Sequence, residues 1–232
     1  MLSLLLGTSA AAALRDARLL LIRHGHTEMN EYLAANPFKA GFSDPGFFDT
    51  KLTAVGQKQA QELREAGLPP VDTLISSPLR RALHTADIVF ADAAVAHRIV
   101  TPLAAERLFL SSDVGSPVTE LAERFDAWRI EDSLQERWWY QGDDEAQEWR
   151  PPGTYLVPGE PQQMFAERMT QLIRFLQSIH NSGAGSGGCV ALVCHAEVIY
   201  ALTGKNVDNC AMVDTRLSEL SESVTSYIVD WT

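Results

Sequence analysis

The chain has 232 residues, 46% of them hydrophobic, which is enough for one large globular domain or two small ones. Its 19 basic and 30 acidic residues give a formal net charge of −11 at pH 7, which argues against nucleic acid or an anionic membrane as the main partner. Any anion site must therefore be a local basic pocket on an acidic protein. We treat residues 1–232 as one domain whose core begins near residue 18, after an N-terminal extension over residues 1–17.

Residues 1–14 contain a leucine run and an alanine run, which together resemble the apolar core of a signal peptide. The first basic residue is Arg15, after the run, and the run is too short to span a membrane. We therefore favour an additional segment on a cytoplasmic protein over a cleaved signal. The three cysteines, Cys189, Cys194 and Cys210, lack a CxxC spacing, which is typical of buried free thiols in a reducing compartment.

An uninterrupted apolar run, residues 19–22, is followed at once by Arg23 and His24. A short run of this kind that ends at a glycine, here Gly25, is typical of a buried strand of a parallel sheet. We expect Arg23 and His24 at the carboxyl end of that strand, the edge where ligands bind in open α/β sheets. A guanidinium suits a phosphate or a carboxylate, and an imidazole can act as a nucleophile or a base. An isolated arginine–histidine pair after a strand is more often two surface residues. The rest of the sequence must therefore show whether this pair belongs to a functional site.

A loop, a helix and a second strand follow. Residues 36–49 are predicted as a long loop, and Thr53 is a good N-cap for a helix over residues 54–66 that ends at Gly67. Residues 71–75 form the second predicted strand. A strand, a helix and another strand in this order are typical of an α/β domain.

Ser77, which a proline follows, is predicted as the N-cap of a helix that runs to about residue 90. Arg80 and Arg81 lie in the first turn of this helix, where the helix dipole disfavours cations unless an anion is bound. We expect Arg80 to be solvated. Arg81, with Thr85 one turn further on, is expected to face a ligand.

Glu106 follows a third short strand, predicted at residues 99–100. Residues 111–155 are predicted as irregular to helical, and they hold several tryptophans and an acidic cluster. The tryptophans are Trp128, Trp138, Trp139 and Trp149, and the acidic residues are Asp143, Asp144, Glu145 and Glu148. We interpret the cluster as a solvated face rather than a metal site, and the tryptophans either as packing or as a lid over the substrate.

A second long apolar run, residues 189–194, ends at His195 and mirrors the first. Apolar residues at helical spacing predict a helix over residues 162–180 before it, and a helix over residues 198–202 follows it. Residues 224–229 are predicted as the last strand.

Chemically active residues at the predicted strand ends meet at one edge of a parallel sheet. They are Arg23, His24, Arg81, Glu106 and His195. Two arginines, two histidines and a helix N-terminus form an anion pocket suited to a phosphoryl group, and a carboxyl beside it can donate a proton. The sequence has neither an HExxH motif nor a Cys/His metal spacing. We therefore expect phosphoryl chemistry with no metal and no cofactor.

Four sequence blocks resemble the histidine phosphatase superfamily, the phosphoglycerate mutase-like proteins. Residues 23–27, Arg-His-Gly-His-Thr, are similar to its RHG-x-T signature, and residues 49–60 to its D-x-x-LT-x-x-G-x-x-QA element. Residues 76–86 are similar to its SSP-x-x-RA-x-x-TA element, and residues 193–196 to the strand that carries its second histidine. One block alone would be weak evidence, but four in order over residues 19–204 are specific.

This resemblance implies a three-layer α/β/α sandwich around a mostly parallel sheet. It implies that His24 is the nucleophile that becomes phosphohistidine and that Glu106 is the general acid for the leaving group. The residues it implies as ligands of the phosphoryl oxygens are Arg23, Asn30, Arg81 and His195.

Three features depart from the family pattern. His26 stands where the family usually has glutamine or glutamate, and we expect it to alter the polarity of the pocket. The loop over residues 30–49 is longer than usual, and Ala196 replaces the common glycine after the second histidine. The acid phosphatase branch has aspartate there. Because this chain has Ala196 and only then Glu197, we assign the acid to Glu106.

The sequence therefore predicts a metal-independent phosphomonoesterase that acts through a phosphohistidine on a small phosphorylated metabolite or a phosphoprotein. The alternatives are a phosphoglycerate-type mutase and a non-catalytic phospho-ligand-binding or scaffold domain. The residues after Glu106, Arg-Leu-Phe-Leu, differ from the R-H-Y-G run of the mutases, and the presence of all five chemical residues disfavours a scaffold. We expect no nucleic-acid or membrane partner, and the sequence leaves a homodimer open.

Overall fold

A central β-sheet with helices on both faces organises the protein, as seen in a computed structural model. The structure describes residues 17–39, 41–131, 134–142, 150–181 and 189–221. The predictions for residues 1–14, for the acidic cluster with Trp149, and for a strand over residues 224–229 lie outside these ranges. That residues 1–232 form one domain stays a prediction.

The central sheet has six strands in the order β5-β4-β3-β7-β1-β8, and β2 pairs with β6 in a separate ribbon. The strands are β1 (Arg18–Arg23), β2 (Phe42–Ser43), β3 (Val71–Ser76), β4 (His97–Val100), β5 (Arg129–Ile130), β6 (Gly153–Thr154), β7 (Cys189–Cys194) and β8 (Met212–Arg216). All neighbours in the central sheet are parallel except β1 and β8. The prediction of a mostly parallel sheet is confirmed.

Helices cover both faces of this sheet. They are α1 (Glu28–Ala35), α2 (Ala54–Glu65), α3 (Arg80–Val89), α4 (Val118–Arg124), α5 (Gln162–Asn181) and α6 (Ala196–Thr203). None of these helices in the described part of the chain has the length and hydropathy needed to cross a lipid bilayer.

Strand β1 shows why the layers form. Leu19 and Leu21 pack with α5 and α6 in one buried cluster, whereas Leu20 and Ile22 pack with α2, α3 and α4 in another. All four side chains are completely buried, and each contributes about 1.5–3 kcal/mol relative to an exposed position. Because the side chains of a strand alternate between faces, an uninterrupted apolar run requires cover on both sides. The predicted three-layer α/β/α sandwich is confirmed.

The start of α3 differs from the prediction. Its N-cap is Leu79 and the helix begins at Arg80, so Ser77 is not the N-cap. The Ser77 hydroxyl oxygen instead accepts a hydrogen bond from the backbone N–H of Leu79 at 3.2 Å. The same oxygen lies 2.7 Å from Nε2 of His195, because β3 and β7 are neighbours in the sheet and end side by side.

The prediction that Arg80 is solvated is wrong. Its guanidinium donates to the backbone oxygen of Asp49 at 2.6 Å and pairs with the Asp49 carboxylate at 3.2 Å. That buried carboxylate also accepts hydrogen bonds from the backbone N–H groups of Arg80 and Ser116. The first turn of α3 is stabilised by a negative charge, and the Asp49 carboxylate, 31 residues before Arg80 in the chain, provides it.

Helix α1 and strand β8 were not predicted, and neither were the short strands β2, β5 and β6, of which β2 lies inside the predicted loop over residues 36–49. A capping box between Thr27 and Asn30 begins α1, and β8 pairs antiparallel with β1. The predicted N-cap Thr53 is confirmed, since its hydroxyl accepts from the backbone N–H of Gly56.

Two glycines lie where the loop after β1 passes the first turn of α2. A Cβ atom on Gly25 would lie 2.6 Å from the carbonyl oxygen of Gly56, and a Cβ on Gly56 would overlap the backbone of His26. Both obstacles are backbone atoms, so they cannot give way as the far end of a flexible side chain could. The glycines of the first two sequence blocks therefore serve a close backbone approach.

We expect Gly56→Ala to lower the free energy of unfolding by about 1–3 kcal/mol, because the added methyl group has no space beside His26. This loss exceeds the gain of at most about 1 kcal/mol in helix propensity. Urea unfolding measures the change, and Gln57→Ala, at an exposed position of the same helix, is the matched control. Equal stability of the two variants would contradict the close approach.

Candidate active site

A cavity of about 240 Å³ opens at the carboxyl edge of the central sheet. Predicted site residues that line it are Arg23, His24, Asn30, Arg81 and Glu106. His195 lies directly behind the cavity, completely buried, with its ring centre 5.1 Å from that of His24. The structure thus brings all the predicted site residues together, and their chemical roles stay proposals.

His24 is held so that one particular ring nitrogen faces the cavity. Its Nδ1 lies 2.8 Å from the backbone oxygen of Gly25. Because a carbonyl oxygen only accepts hydrogen bonds, Nδ1 carries the proton and Nε2 keeps its lone pair. The backbone N–H of His24 donates to Cys194, and the Asn209 amide donates to the backbone oxygen of His24. The arrangement directs a lone pair from a fixed ring into the cavity.

Burial lowers the pKa of His24 well below the ordinary histidine value, and the charges of Arg81 and Arg23 lower it further. Protonation of the ring would place a third cation beside two arginines in a site shielded from water. His24 is therefore neutral at neutral pH, which a nucleophilic imidazole requires.

His195 directly follows strand β7 and does not line the cavity itself. Its Nε2 lies 2.7 Å from the Ser77 hydroxyl, and its Nδ1 is buried without a hydrogen-bond partner among the described residues. When Ser77 donates to Nε2, Nδ1 carries the proton and becomes an unused donor. Burial and the charge of Arg81 lower the pKa of His195, so this ring is also neutral.

Both arginines are buried or nearly so, and each is anchored at one end. Arg23 donates from Nη1 to the backbone oxygen of Val207 at 2.8 Å, while its buried Nε has no partner in the described ranges. Arg81 donates from Nη1 to the backbone of Ser112 at 2.6 Å and from Nη2 to Asp113 at 2.8 Å. Anchored guanidinium groups in a cavity suit a tetrahedral oxyanion.

Glu106 has the properties of a proton donor at neutral pH. Burial raises its pKa to about 7, and the charge of Asp113 adds to this effect. Hydrogen bonds from the backbone N–H groups of Arg107, at 3.0 Å, and of Glu197, at 3.5 Å, act in the opposite direction. A carboxyl group with a pKa near the working pH can both donate and accept a proton in one cycle.

An ion pair supports the segment that carries Glu106. Arg168 on α5 pairs with Glu160 at 2.6 Å and donates to the backbone oxygens of Leu103 and Ala105. Its Nη2 also approaches the backbone oxygen of Glu106 at 3.4 Å. Glu106 is therefore held by helix α5, although no regular element contains it.

Asn30 presents its amide group to the cavity, and His26 does not reach it. Oδ1 of Asn30 accepts from the backbone N–H and the hydroxyl of Thr27, which leaves its NH₂ group as the donor. His26 is not among the residues that line the cavity, and its Nδ1 lies 2.9 Å from the Thr53 hydroxyl. The effect of His26 on the polarity of the pocket stays a prediction.

Several residues of the site were not predicted. Asp113 anchors Arg81, Ser77 contacts His195, and Thr85 links the backbones of Arg81 and Gly25. Ser77 and Thr85 belong to a sequence block that was recognised, but their contacts depend on β3 and β7 lying side by side. Asp113 lies in a stretch without any recognisable motif.

The tryptophans divide between two roles. Trp128 is buried in the core and donates from Nε1 to Asp87 at 2.9 Å, so it serves packing. Trp138 and Trp139 line a second cavity of about 250 Å³, which reaches Glu106.

In the described part of the chain, no three His, Cys, Asp or Glu residues are grouped so that they could hold a metal ion.

Comparison with known proteins supports a family assignment. The family model of the histidine phosphatase superfamily (branch 1) matches residues 19–226. A glucosyl-3-phosphoglycerate phosphatase of Mycolicibacterium vanbaalenii is 32% identical over 211 residues, which are 84% of this chain and 78% of that protein. A phosphoglycerate mutase of Candida albicans is 42% identical over only 75 residues, 31% of this chain and 26% of the mutase.

Solved structures show the same fold. A mycobacterial glucosyl-3-phosphoglycerate phosphatase in complex with VO3 matches with a TM-score of 0.52 and 22% identity, over 88% of this chain and 95% of that one. The alpha-ribazole phosphatase of Shigella flexneri matches with a TM-score of 0.51 and 23% identity, over 90% and 99%. The predicted family is confirmed by the model match over most of the chain and by the relative in M. vanbaalenii. This chain therefore belongs to branch 1 of the histidine phosphatase superfamily and is a phosphatase of the histidine type.

Proposed function

We propose that this protein hydrolyses phosphate monoesters through a phosphohistidine on His24, without a metal ion. One observation carries the proposal: the lone pair on Nε2 of His24 faces a cavity that also holds Arg23, Arg81 and Glu106. These residues supply a nucleophile, the countercharge for a phosphoryl group and a proton donor in one cavity.

In the first half of the reaction, Nε2 of His24 attacks phosphorus and the bond between phosphorus and the ester oxygen breaks. Glu106, protonated at this stage, gives its proton to the departing oxygen, so the leaving group departs as a neutral alcohol. The donors available to the phosphoryl oxygens are Nε of Arg23, the guanidinium of Arg81, Nδ1 of His195 and the amide of Asn30. Two of these, on Arg23 and His195, are buried and lack a partner in the described structure, a deficit that phosphoryl oxygens would satisfy.

In the second half, water attacks the phosphohistidine while the Glu106 carboxylate takes one of its protons. The bond between phosphorus and Nε2 breaks, phosphate leaves, and both His24 and protonated Glu106 are restored. The pKa of about 7 for Glu106 suits both directions of proton transfer.

We further propose a small phosphorylated metabolite as the substrate, in preference to a phosphoprotein. The cavity has a volume of about 240 Å³, and His24 within it is 5% exposed. A phosphate on a small molecule can reach a nucleophile at this depth, whereas a phosphorylated side chain would have to bring its backbone with it.

We also propose that the enzyme is cytoplasmic, and the state of its cysteines supports this. Cys189, Cys194 and Cys210 are buried free thiols, and burial raises the pKa of Cys189 to about 11. Unreactive, unbridged thiols suit a reducing compartment. A homodimer stays a prediction.

The proposal is tested with p-nitrophenyl [³²P]phosphate in the presence of excess EDTA. We expect release of phosphate to continue in EDTA, and a base-stable, acid-labile label to be trapped on His24 after a rapid alkaline quench. His26→Ala, outside the cavity, is the matched control and should still be labelled.

Other outcomes would contradict the proposal. Activity that EDTA removes and a divalent metal restores would exclude the metal-free mechanism. Interconversion of 2- and 3-phosphoglycerate that outpaces phosphate release would identify a mutase. Binding of inorganic phosphate without any label or turnover would identify a binding domain.

A further inference from the structure

Glu197 is a carboxyl of the cavity that the proposed reaction does not use. It lies in the first turn of α6, two residues after His195, and lines the same cavity as His24. Its Oε2 atom is buried and has no hydrogen-bond partner among the described residues. A buried carboxylate oxygen without a donor is costly, so this atom is suited to a donor that a ligand supplies.

Two acidic residues of the cavity lie together, since the backbone N–H of Glu197 points to Oε2 of Glu106 at 3.5 Å. Arg23 and Arg81 act on His24 and form the phosphoryl end, and both arginines also interact electrostatically with Glu106. Glu106 thus connects the phosphoryl end with the part of the cavity at Glu197, which we call the leaving-group end. Asp113, the third acid, is already paired with Arg81.

One cation, Arg107, also lines the cavity. Its Nε donates to the backbone oxygen of Glu160 at 2.9 Å and its Nη1 to the Gln162 side chain at 2.8 Å. Its charge also acts on Glu106 and Glu197. The leaving-group end therefore holds two carboxyls and one guanidinium, and that guanidinium is also bound to the start of α5.

The cavity lining also includes large apolar side chains. The residues concerned are Met29, Leu33, Phe38, Phe109 and Leu110. A leaving group in this part of the cavity meets carboxyl oxygens on one side and hydrocarbon on the other. Such surroundings stabilise hydroxyl groups and carbon chains and oppose a second negative charge.

We propose that Glu197 determines specificity by selecting phosphate esters whose leaving group is uncharged and carries a hydroxyl near the ester oxygen. The hydroxyl donates to the Glu197 carboxyl, while a carboxylate at the same place meets two acidic side chains. The inference rests on the proposed function, because it assumes that the phosphoryl group occupies the His24 end.

The electrostatic surroundings agree with this selection. Burial and the charge of Glu106 raise the pKa of Glu197 well above its usual value. The surroundings that disfavour the charge of Glu197 also disfavour the charge of a substrate carboxylate.

Glycerol 3-phosphate and 3-phosphoglycerate are a matched pair of probes. They differ at one carbon only, which is a CH₂OH group in the first and a carboxylate in the second. Each is measured as a competitive inhibitor of p-nitrophenyl phosphate hydrolysis at pH 8. In the wild type we expect the Ki of 3-phosphoglycerate to be about 10–100 times that of glycerol 3-phosphate, as expected for a like-charge contact. Glu197→Gln should reduce this ratio about tenfold, since the amide replaces the ionisable carboxyl and offers a donor to a substrate carboxylate.

Two further variants make the result specific. Glu197→Asp retains a carboxyl group and should keep a ratio above one, while Glu123→Gln, at an exposed position on α4, should behave as the wild type. A ratio that Glu197→Gln leaves unchanged within twofold, or a wild type that prefers 3-phosphoglycerate, would overturn the inference. Absence of p-nitrophenyl phosphate hydrolysis in the wild type would instead overturn the proposed function.

Discussion

Replacing His24 with alanine is expected to reduce turnover of p-nitrophenyl phosphate on the order of 10⁵–10⁶-fold, the scale on which other hydrolases lose activity without their nucleophile. The loss is this large because no other described side chain in the cavity presents a neutral, buried nitrogen lone pair beside two guanidinium groups. The measurement is kcat under saturating substrate, with phosphate release followed to low rates.

This variant should still bind inorganic phosphate, because Arg23, Arg81 and His195 remain. The Ki of phosphate for residual activity, or direct calorimetry, should change by less than about tenfold, which separates loss of the nucleophile from loss of the site. The unfolding midpoint verifies that the variant folds. Activity of His24→Ala within tenfold of the wild type would eliminate the phosphohistidine mechanism.

Replacing Glu106 with glutamine is expected to slow hydrolysis of an alkyl phosphate by about 10²–10⁴-fold, the usual contribution of general acid catalysis. The amide cannot donate a proton to the departing oxygen. p-Nitrophenolate is a stable leaving group and needs less protonation, so its ester should lose less activity. The ratio of the two losses therefore reports on proton transfer rather than on binding.

The pH dependence gives a second, independent readout for Glu106. Its carboxyl is protonated below a pKa of about 7, so kcat/KM for the alkyl ester should fall as pH rises through that value. This decrease should be absent in Glu106→Gln, while Glu123→Gln should retain it. Equal losses for both esters with an unchanged pH profile would exclude Glu106 as the acid.

Local sequence was sufficient for the two strands that carry the histidines. Residues 19–22 and 189–194 are apolar without interruption, and such runs are stable only when both of their faces are covered. Polar residues directly after such runs must lie at the sheet edge, so Arg23, His24 and His195 could be placed at one site. Arg81 and Glu106 were added from the predicted helix start and strand end that precede them, and the resemblance to a family added Asn30.

Contacts between residues that are far apart in the chain could not be predicted from local sequence. Arg80 was expected to be solvated, and only the folded chain brings it to Asp49. Ser77 had the local pattern of an N-cap, but the end of β7 places it at Nε2 of His195, 118 residues away. In both cases the partner is distant in the chain, so no local pattern contains the contact.

The sequence by itself determined the family, the α/β layering and the place of His24 at the end of a buried strand, because these depend on hydrophobic runs and on short motifs. The tertiary structure decided the ring nitrogen that His24 presents, the pKa of Glu106 and the exposure of Glu197 to the same cavity. Glu106 and Glu197 are 91 residues apart in the chain, yet a backbone N–H of one lies 3.5 Å from the carboxylate of the other. Protonation and specificity depend on burial and on the charges nearby, and both arise only when the chain has folded.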